Sequence, residues 1–174
     1  MSTALAVTVA TPDGPFSIIA DEEAVLASGW TADLEELRGL IHPDLCPEEV
    51  ATVGVETLDA TSVLAAALAA VIDYYAGDLA APARVPVRQR SGEFLEAAWD
   101  ALRQVAPGAP VSYTEFAARA GNEKATRAAA NACARNAAAL FVPCHRVLPA
   151  AVGVGNFRYG PDVKESLLKR EAAQ

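Results

Sequence analysis

One short stretch, Pro143-Cys144-His145-Arg146-Val147, sets a thiol beside an imidazole and a guanidinium. A free thiol has a pKa of roughly 8.5, so at neutral pH only a few per cent is the nucleophilic thiolate. A neighbouring base or positive charge raises that fraction. Successive side chains of an extended segment diverge, so adjacency alone does not make contact. On its residues alone, a lone Cys-His pair is more often structural than catalytic. The other two cysteines, Cys46 and Cys133, form no CxxC pair with Cys144 or each other. The odd count and the spacing argue against a disulfide framework and against a structural zinc site. They fit a reducing cytoplasm, in which one of the three thiols is kept for its reactivity.

The elements that must position this stretch are legible from periodicity. The run Leu140-Phe141-Val142 leads into it. Downstream, Val163, Leu167 and Glu171 recur at i, i+4 and i+8, which puts a carboxylate on the apolar face of a last helix. A buried carboxylate needs a partner. Upstream, Phe94, Leu95, Ala98, Trp99, Leu102 and Val105 form one apolar helical face, stopped by Pro107-Gly108-Ala109-Pro110. Ser112 and Glu115 fit a capping box, so a helix is expected from Tyr113 to Ala120. It breaks at Gly121-Asn122 and restarts from Glu123 to Ala134, a helix-turn-helix pattern. Such a pair is more often an ordinary packing unit than a DNA-binding one. Asn136, just beyond it, suits a left-handed helix cap.

The first half reads differently. Ala4–Ala10, Phe16–Ala20 and Ala24–Trp30 are short apolar runs separated by turn residues. Helices follow around Leu34, Leu37 and Ile41 and over residues 61–76. Expected, then, are an α/β N-terminal domain with a small antiparallel sheet over residues 1–80, a linker over 81–91, and a mostly helical C-terminal domain over 92–174. Trp30 and Trp99 read as core and His42 as surface; Cys133 reads as a small buried hydrophobe.

The formal net charge of -8 argues against a nucleic-acid partner. The two halves differ, however. Residues 1–86 carry two basic against fourteen acidic side chains, net -12; residues 87–174 carry twelve against eight, net +4. The second half can meet a polyanion. No basic n-region opens the chain, and its longest apolar stretch, around Val63–Ile72, is too short for a membrane span. A soluble protein without membrane partners is expected.

The motif Pro143–Val147 resembles the acceptor-cysteine motif of the O6-alkylguanine-DNA alkyltransferases, the methylated-DNA–protein-cysteine methyltransferases. Val111-Ser112-Tyr113, Lys124–Ala128, Arg135-Asn136, Gly155-Asn156-Phe157 and Lys164–Leu168 stand at that family's spacings, and Pro12–Trp30 resembles its smaller N-terminal domain. The resemblance implies single-turnover direct reversal: O6-alkylguanine is flipped from duplex DNA and its alkyl group passes irreversibly to Cys144. It implies a relay of Glu171, His145 and water to the thiol, with Asn136 joining the recognition helix to the acceptor segment. It implies that Arg127 fills the place of the flipped base, that Tyr113 and Ser112 lie against the phosphates, and that Ala128 and Ala129 form a slim helix surface for the minor groove. An α-helix is about 10–12 Å across and that groove about 6 Å wide, so small side chains are needed. Val147, Phe157, Arg158 and Tyr113 would wall the substrate pocket. The resemblance implies no cofactor and no metal, since His42 and Cys46 are too few for the zinc site of some relatives. A monomer in solution is expected, with cooperative assembly on DNA open. The chain departs from the family where Asn136-Ala137-Ala138-Ala139 replaces a proline-containing segment, and at Ala130, where a glycine is common. Relatives without the acceptor cysteine bind lesions and recruit another pathway; Cys144 sets this chain apart from them.

Overall fold

In the computed structural model, which describes residues 2–173, three strands form an antiparallel meander: β1 (Thr3–Thr11), β2 (Gly14–Ala20) and β3 (Val25–Gly29). Asp21 shapes the second turn, its carboxylate accepting the N–H groups of Glu23 and Ala24 at 2.8 and 2.9 Å. A short helix, α1 (Leu34–Arg38), crosses the sheet before β4 (Glu49–Thr52) joins β1 in parallel. The sheet, ordered β3-β2-β1-β4, is therefore mixed rather than wholly antiparallel. A crossover segment returns the chain in its starting direction, which a tight hairpin cannot do.

Helix α2 (Val63–Tyr75) is capped by Ser62, whose hydroxyl accepts the Ala65 N–H at 3.1 Å. It buries Leu64, Ala67, Leu68, Val71 and Tyr74 on one face against β1 and β2. The second half is helical. Helix α3 (Glu93–Leu102) buries Ala98, Trp99 and Leu102, and the Trp99 indole N–H donates to the Ala132 carbonyl at 2.9 Å. A two-residue strand, β5 (Val111–Ser112), precedes α4 (Tyr113–Arg119) and α5 (Thr126–Ala134). Ser112 caps α4 through the Glu115 N–H at 3.1 Å, one half of the expected capping box; the Glu115 carboxylate pairs with Arg119. Helix α5 starts three residues later than its sequence pattern suggests. Asn122 takes the Lys124 N–H with its side chain at 3.0 Å and holds the intervening residues as a turn. Strand β6 (Val147–Leu148) pairs in parallel with β5, and α6 (Pro161–Ala172) closes the fold.

The outer edge of β3 is where the two halves meet. Ser28 donates its N–H to the Ala137 carbonyl at 2.9 Å and its hydroxyl to that of Ala139 at 2.7 Å, and accepts the Ala139 N–H at 3.2 Å. Val25 is bonded in the same way to Pro86 and Arg88. A sheet edge presents unpaired backbone groups, and here the acceptor segment and the connecting chain satisfy them. The apolar core is continuous across the junction: Phe16 and Phe141 lie 6.4 Å apart between ring centroids, Trp30 and Phe157 5.9 Å. Among the described residues, no helix is long and apolar enough to cross a membrane.

Candidate active site

The segment entering the acceptor motif is bent by a tight turn, closed by the Val142 N–H on the Ala138 carbonyl at 2.9 Å. Leu140 sits in it at φ 76°, the one non-glycine residue in the left-handed region among those described. That conformation costs a branched side chain about 1–2 kcal/mol, and the full burial of Leu140 offsets it. Asn136 ties the turn together. Its Nδ2 donates to the Val142 carbonyl at 2.8 Å, while its Oδ1 accepts the Ala138 N–H at 3.1 Å and Gln89 Nε2 at 2.9 Å. The alanines that stand where prolines are common add bonds a proline has no N–H to make. Ala137 donates to Gln89 Oε1 at 2.9 Å, and Ala139 to Ser28.

Beyond the turn, Cys144–Arg146 form one turn of 3-10 helix, and Cys144 lines a cavity of about 490 Å³. That volume lies in the range of small-molecule sites. Tyr113 of α4 and Ala130, Cys133 and Ala134 of α5 form one wall; Phe157, Arg158, Tyr159 and Lys164 form the other. The Arg158 guanidinium reaches across to the Ala134 carbonyl at 2.7 Å, tying the two walls. Tyr159 packs on Gly29, where an added Cβ would lie 2.0 Å from the phenol oxygen, so only glycine fits.

The two residues after Cys144, His145 and Arg146, belong to a buried ionic cluster. His145 is bonded through Nε2 to Glu171 Oε2 at 2.7 Å. Arg146 donates from Nε to Glu171 Oε1 at 2.8 Å and from a terminal nitrogen to Oε2 at 3.3 Å. Tyr74 of α2 donates its hydroxyl to the same Oε2 at 2.7 Å. Burial raises the Glu171 carboxyl pKa, but the bonds and charges of His145 and Arg146 outweigh it and hold the group at about 2. The carboxylate therefore accepts a hydrogen bond from the Nε2–H of a neutral imidazole, which leaves the lone pair on Nδ1; among the described residues that buried nitrogen has no hydrogen-bond partner. Burial lowers the His145 pKa, and the Glu171 bond only partly restores it. Burial likewise pushes the Cys144 thiol up, and the Asn136 hydrogen bond and the Lys164 charge offset only part of that. The resting pair is a neutral thiol beside a neutral base.

The thiol thus lies in a cavity walled by a helix-turn-helix pair, and the residue after it is bonded to a buried carboxylate. Residues 93–173 match the family profile described as 6-O-methylguanine DNA methyltransferase, DNA binding domain. The methylated-DNA–protein-cysteine methyltransferase of Salmonella typhimurium is 31% identical over 166 residues, covering 94% of this chain and 92% of that protein. The chain belongs to the methylated-DNA–protein-cysteine methyltransferase family. It is also 41% identical over 91 residues to the Escherichia coli bifunctional transcriptional activator/DNA repair enzyme Ada, covering 52% of this chain but spanning only 26% of that longer protein. The fold matches the crystal structure of Mycobacterium tuberculosis OGT in complex with DNA at a TM-score of 0.75 and 23% identity, over 97% of this chain and 93% of that one.

Against the family's motif, the fold sets Cys144 and Asn136 on the cavity with Tyr113, Phe157 and Arg158, and bonds His145, the residue after Cys144, to Glu171. Arg127 is exposed on the first turn of α5, and Ser112 is exposed at the α4 cap. Four expectations are corrected. Ala129 is wholly buried, packed with Ala132 inside the helix pair, and cannot meet a groove; at 100° per residue the outer face of α5 is Arg127, Ala130, Asn131 and Ala134. Val147 does not line the cavity, because strand pairing with Val111 turns it into the core. Asn136 is not a left-handed cap: Arg135 ends α5, and the Asn136 amide is used in tertiary bonds. Cys133 is half-buried and shares the cavity with Cys144 rather than filling the core. Sequence alone assigns Tyr74 and Gln89 no role. A tyrosine on the buried face of α2 was the available signal, since its hydroxyl demands a partner; nothing local marks Gln89.

Proposed function

We propose that this chain repairs O6-alkylguanine in DNA by moving the alkyl group onto Cys144 Sγ. The observation that carries this reading is the thiol on the wall of a base-sized cavity, with the next residue of the same 3-10 turn, His145, bonded to the buried Glu171. A base inside the duplex hides its O6 substituent, so the lesion must leave the stack to reach such a cavity. The exposed face of α5, slim at Ala130 and Ala134 and headed by Arg127, suits the minor groove, with Arg127 filling the vacated place. Tyr113 and the capped start of α4 lie against the phosphates.

In the reaction the Cys144 thiol gives its proton towards His145 Nδ1 through a water molecule, as Glu171 stabilises the forming imidazolium. The S–C bond forms at the alkyl carbon as the C–O6 bond breaks; guanine leaves as its anion and recovers a proton. A thioether is a poor leaving group, so each molecule acts once, without a cofactor. Asn136 and Lys164 steady the developing thiolate charge. The acidic residues 1–80 form the supporting domain and the basic residues 92–174 the DNA-facing one, joined by 81–91. The protein works as a monomer in the cytoplasm.

The test is intact-protein mass spectrometry after incubation with a duplex carrying O6-methylguanine, beside a Cys144→Ser variant. Expected is the gain of one methyl group per protein, mapped to Cys144 and absent from the variant. Tight lesion binding without transfer would instead make the chain a silent lesion-binding module that recruits another pathway.

A further inference from the structure

Four donors converge on the Glu171 carboxylate, and one of them comes from the other half of the chain. The Tyr74 hydroxyl and His145 Nε2 both bond to Oε2, each at 2.7 Å. Tyr74 is fully buried on α2, 97 residues before Glu171 in sequence. Its phenol has no competing acceptor among the bonds of the cluster, so its proton points at the carboxylate. We propose that Tyr74 is a positioning residue of the thiol-activating relay, setting through Glu171 how strongly His145 holds a proton. The proposal rests on the alkyl-transfer reading and extends it to the acidic N-terminal half.

The reasoning is electrostatic. A hydrogen bond donated to Oε2 draws charge away from the oxygen that faces the imidazole. A carboxylate relieved in this way stabilises an imidazolium less, which keeps His145 neutral and ready to accept the thiol proton. The charged and titratable groups around the pair are few. His145 and Arg146 face the carboxylate from the acceptor segment, and Tyr74 faces it from α2 with Tyr75 behind it. On α6, Lys164 acts on His145, and Arg170 lies over the Tyr75 ring at 4.7 Å. Tyr75 itself donates to Asp13 at 2.7 Å and accepts from the Trp30 indole at 2.9 Å; its ring packs edge-on against that of Tyr74, but its hydroxyl makes no hydrogen bond to the relay. Burial and the nearby Glu171 charge push the Tyr74 phenol far above its ordinary pKa, so it remains a donor at any working pH.

The experiment compares Tyr74→Phe with Tyr75→Phe, a neighbouring tyrosine on the same helix that loses two hydrogen bonds. The rate of methyl transfer from an O6-methylguanine duplex is followed against pH. The chain has only two histidines, so the His145 ring protons are also titrated by NMR, with His42→Gln for assignment. Tyr74→Phe should move the acid limb and the His145 titration up by roughly half a unit, about threefold in rate on the acid side. Tyr75→Phe should leave both in place, and in a Glu171→Gln background the Tyr74→Phe shift should vanish. A uniform loss of rate with both midpoints unmoved would reduce Tyr74 to a packing residue and overturn the proposal. If the unmodified protein transfers no methyl group at any pH, the alkyl-transfer reading fails, and the His145 titration alone still decides whether Tyr74 sets its proton affinity.

Discussion

Glu171 concentrates the chemistry of the site in one side chain. It is held ionised at about 2 although buried, because His145 and Arg146 supply bonds and charge at both oxygens. An unfolded chain protonates this carboxyl near pH 4.3. The stability it contributes is therefore complete above that value and is lost as pH falls towards 2. His145 acts in the same direction at higher pH: its folded pKa lies below 6.5, so the unfolded chain binds the proton first. The free energy of urea unfolding should decline as pH drops below about 6.5 and again below about 4.5. In Glu171→Gln the lower decline should disappear. Removing one partner of a buried ion pair costs about 3–5 kcal/mol, so that variant should also be less stable at neutral pH. Its transfer rate should fall on the order of a hundredfold, through loss of base assistance. An unchanged pH profile of stability would show that Glu171 is not the titrating group.

Helix α5 separates two neighbouring alanines by function. Ala129 packs at full burial inside the helix pair, whereas Ala130 is exposed and borders the cavity. Ala129→Leu should overpack the interface and destabilise by about 1–3 kcal/mol, seen as a lower thermal midpoint. Ala130→Glu should leave the stability within about half a kcal/mol, as surface changes do. It should nonetheless weaken duplex binding severalfold, by setting a negative charge against phosphate, in a fluorescence titration at fixed salt. If both variants bound DNA as the unmodified protein does, α5 would not be the docking helix.

The whole molecule is held by contacts that cross its charge boundary. The β3 edge takes the acceptor segment, Tyr74 reaches Glu171, and Arg103 of the chain just after α3 bonds the carbonyls of Ala83, Val85 and Phe141. Phe16, Trp30 and Phe141 belong to one continuous apolar cluster. A chain comprising residues 92–174 alone would leave that surface and the β3-facing carbonyls in water. Its expected behaviour is a broad, weakly cooperative thermal transition by circular dichroism, with no methyl transfer. A sharp transition and full transfer by the fragment would show that the N-terminal half is dispensable.

Much of this protein is local in origin and was determined by sequence alone. The first three strands, the capped helices and the helix-turn-helix follow from periodicity and cap chemistry, which depend on residues a few positions apart. The acceptor motif likewise marks Cys144 and His145, and the i, i+4, i+8 pattern on α6 marks Glu171. What tertiary structure decided was every feature that depends on distant partners. The parallel pairing of β4 follows from how the crossover lies on the sheet. The inward turn of Ala129, the withdrawal of Val147 into strand pairing and the clamping of Asn136 by Gln89 each depend on a surface from elsewhere in the chain. Tyr74 is the clearest case. Its position on an amphipathic helix announces burial, but only the packing of α2 against α6 gives its hydroxyl a carboxylate to hold, because a hydrogen bond is specified by geometry that no local pattern encodes.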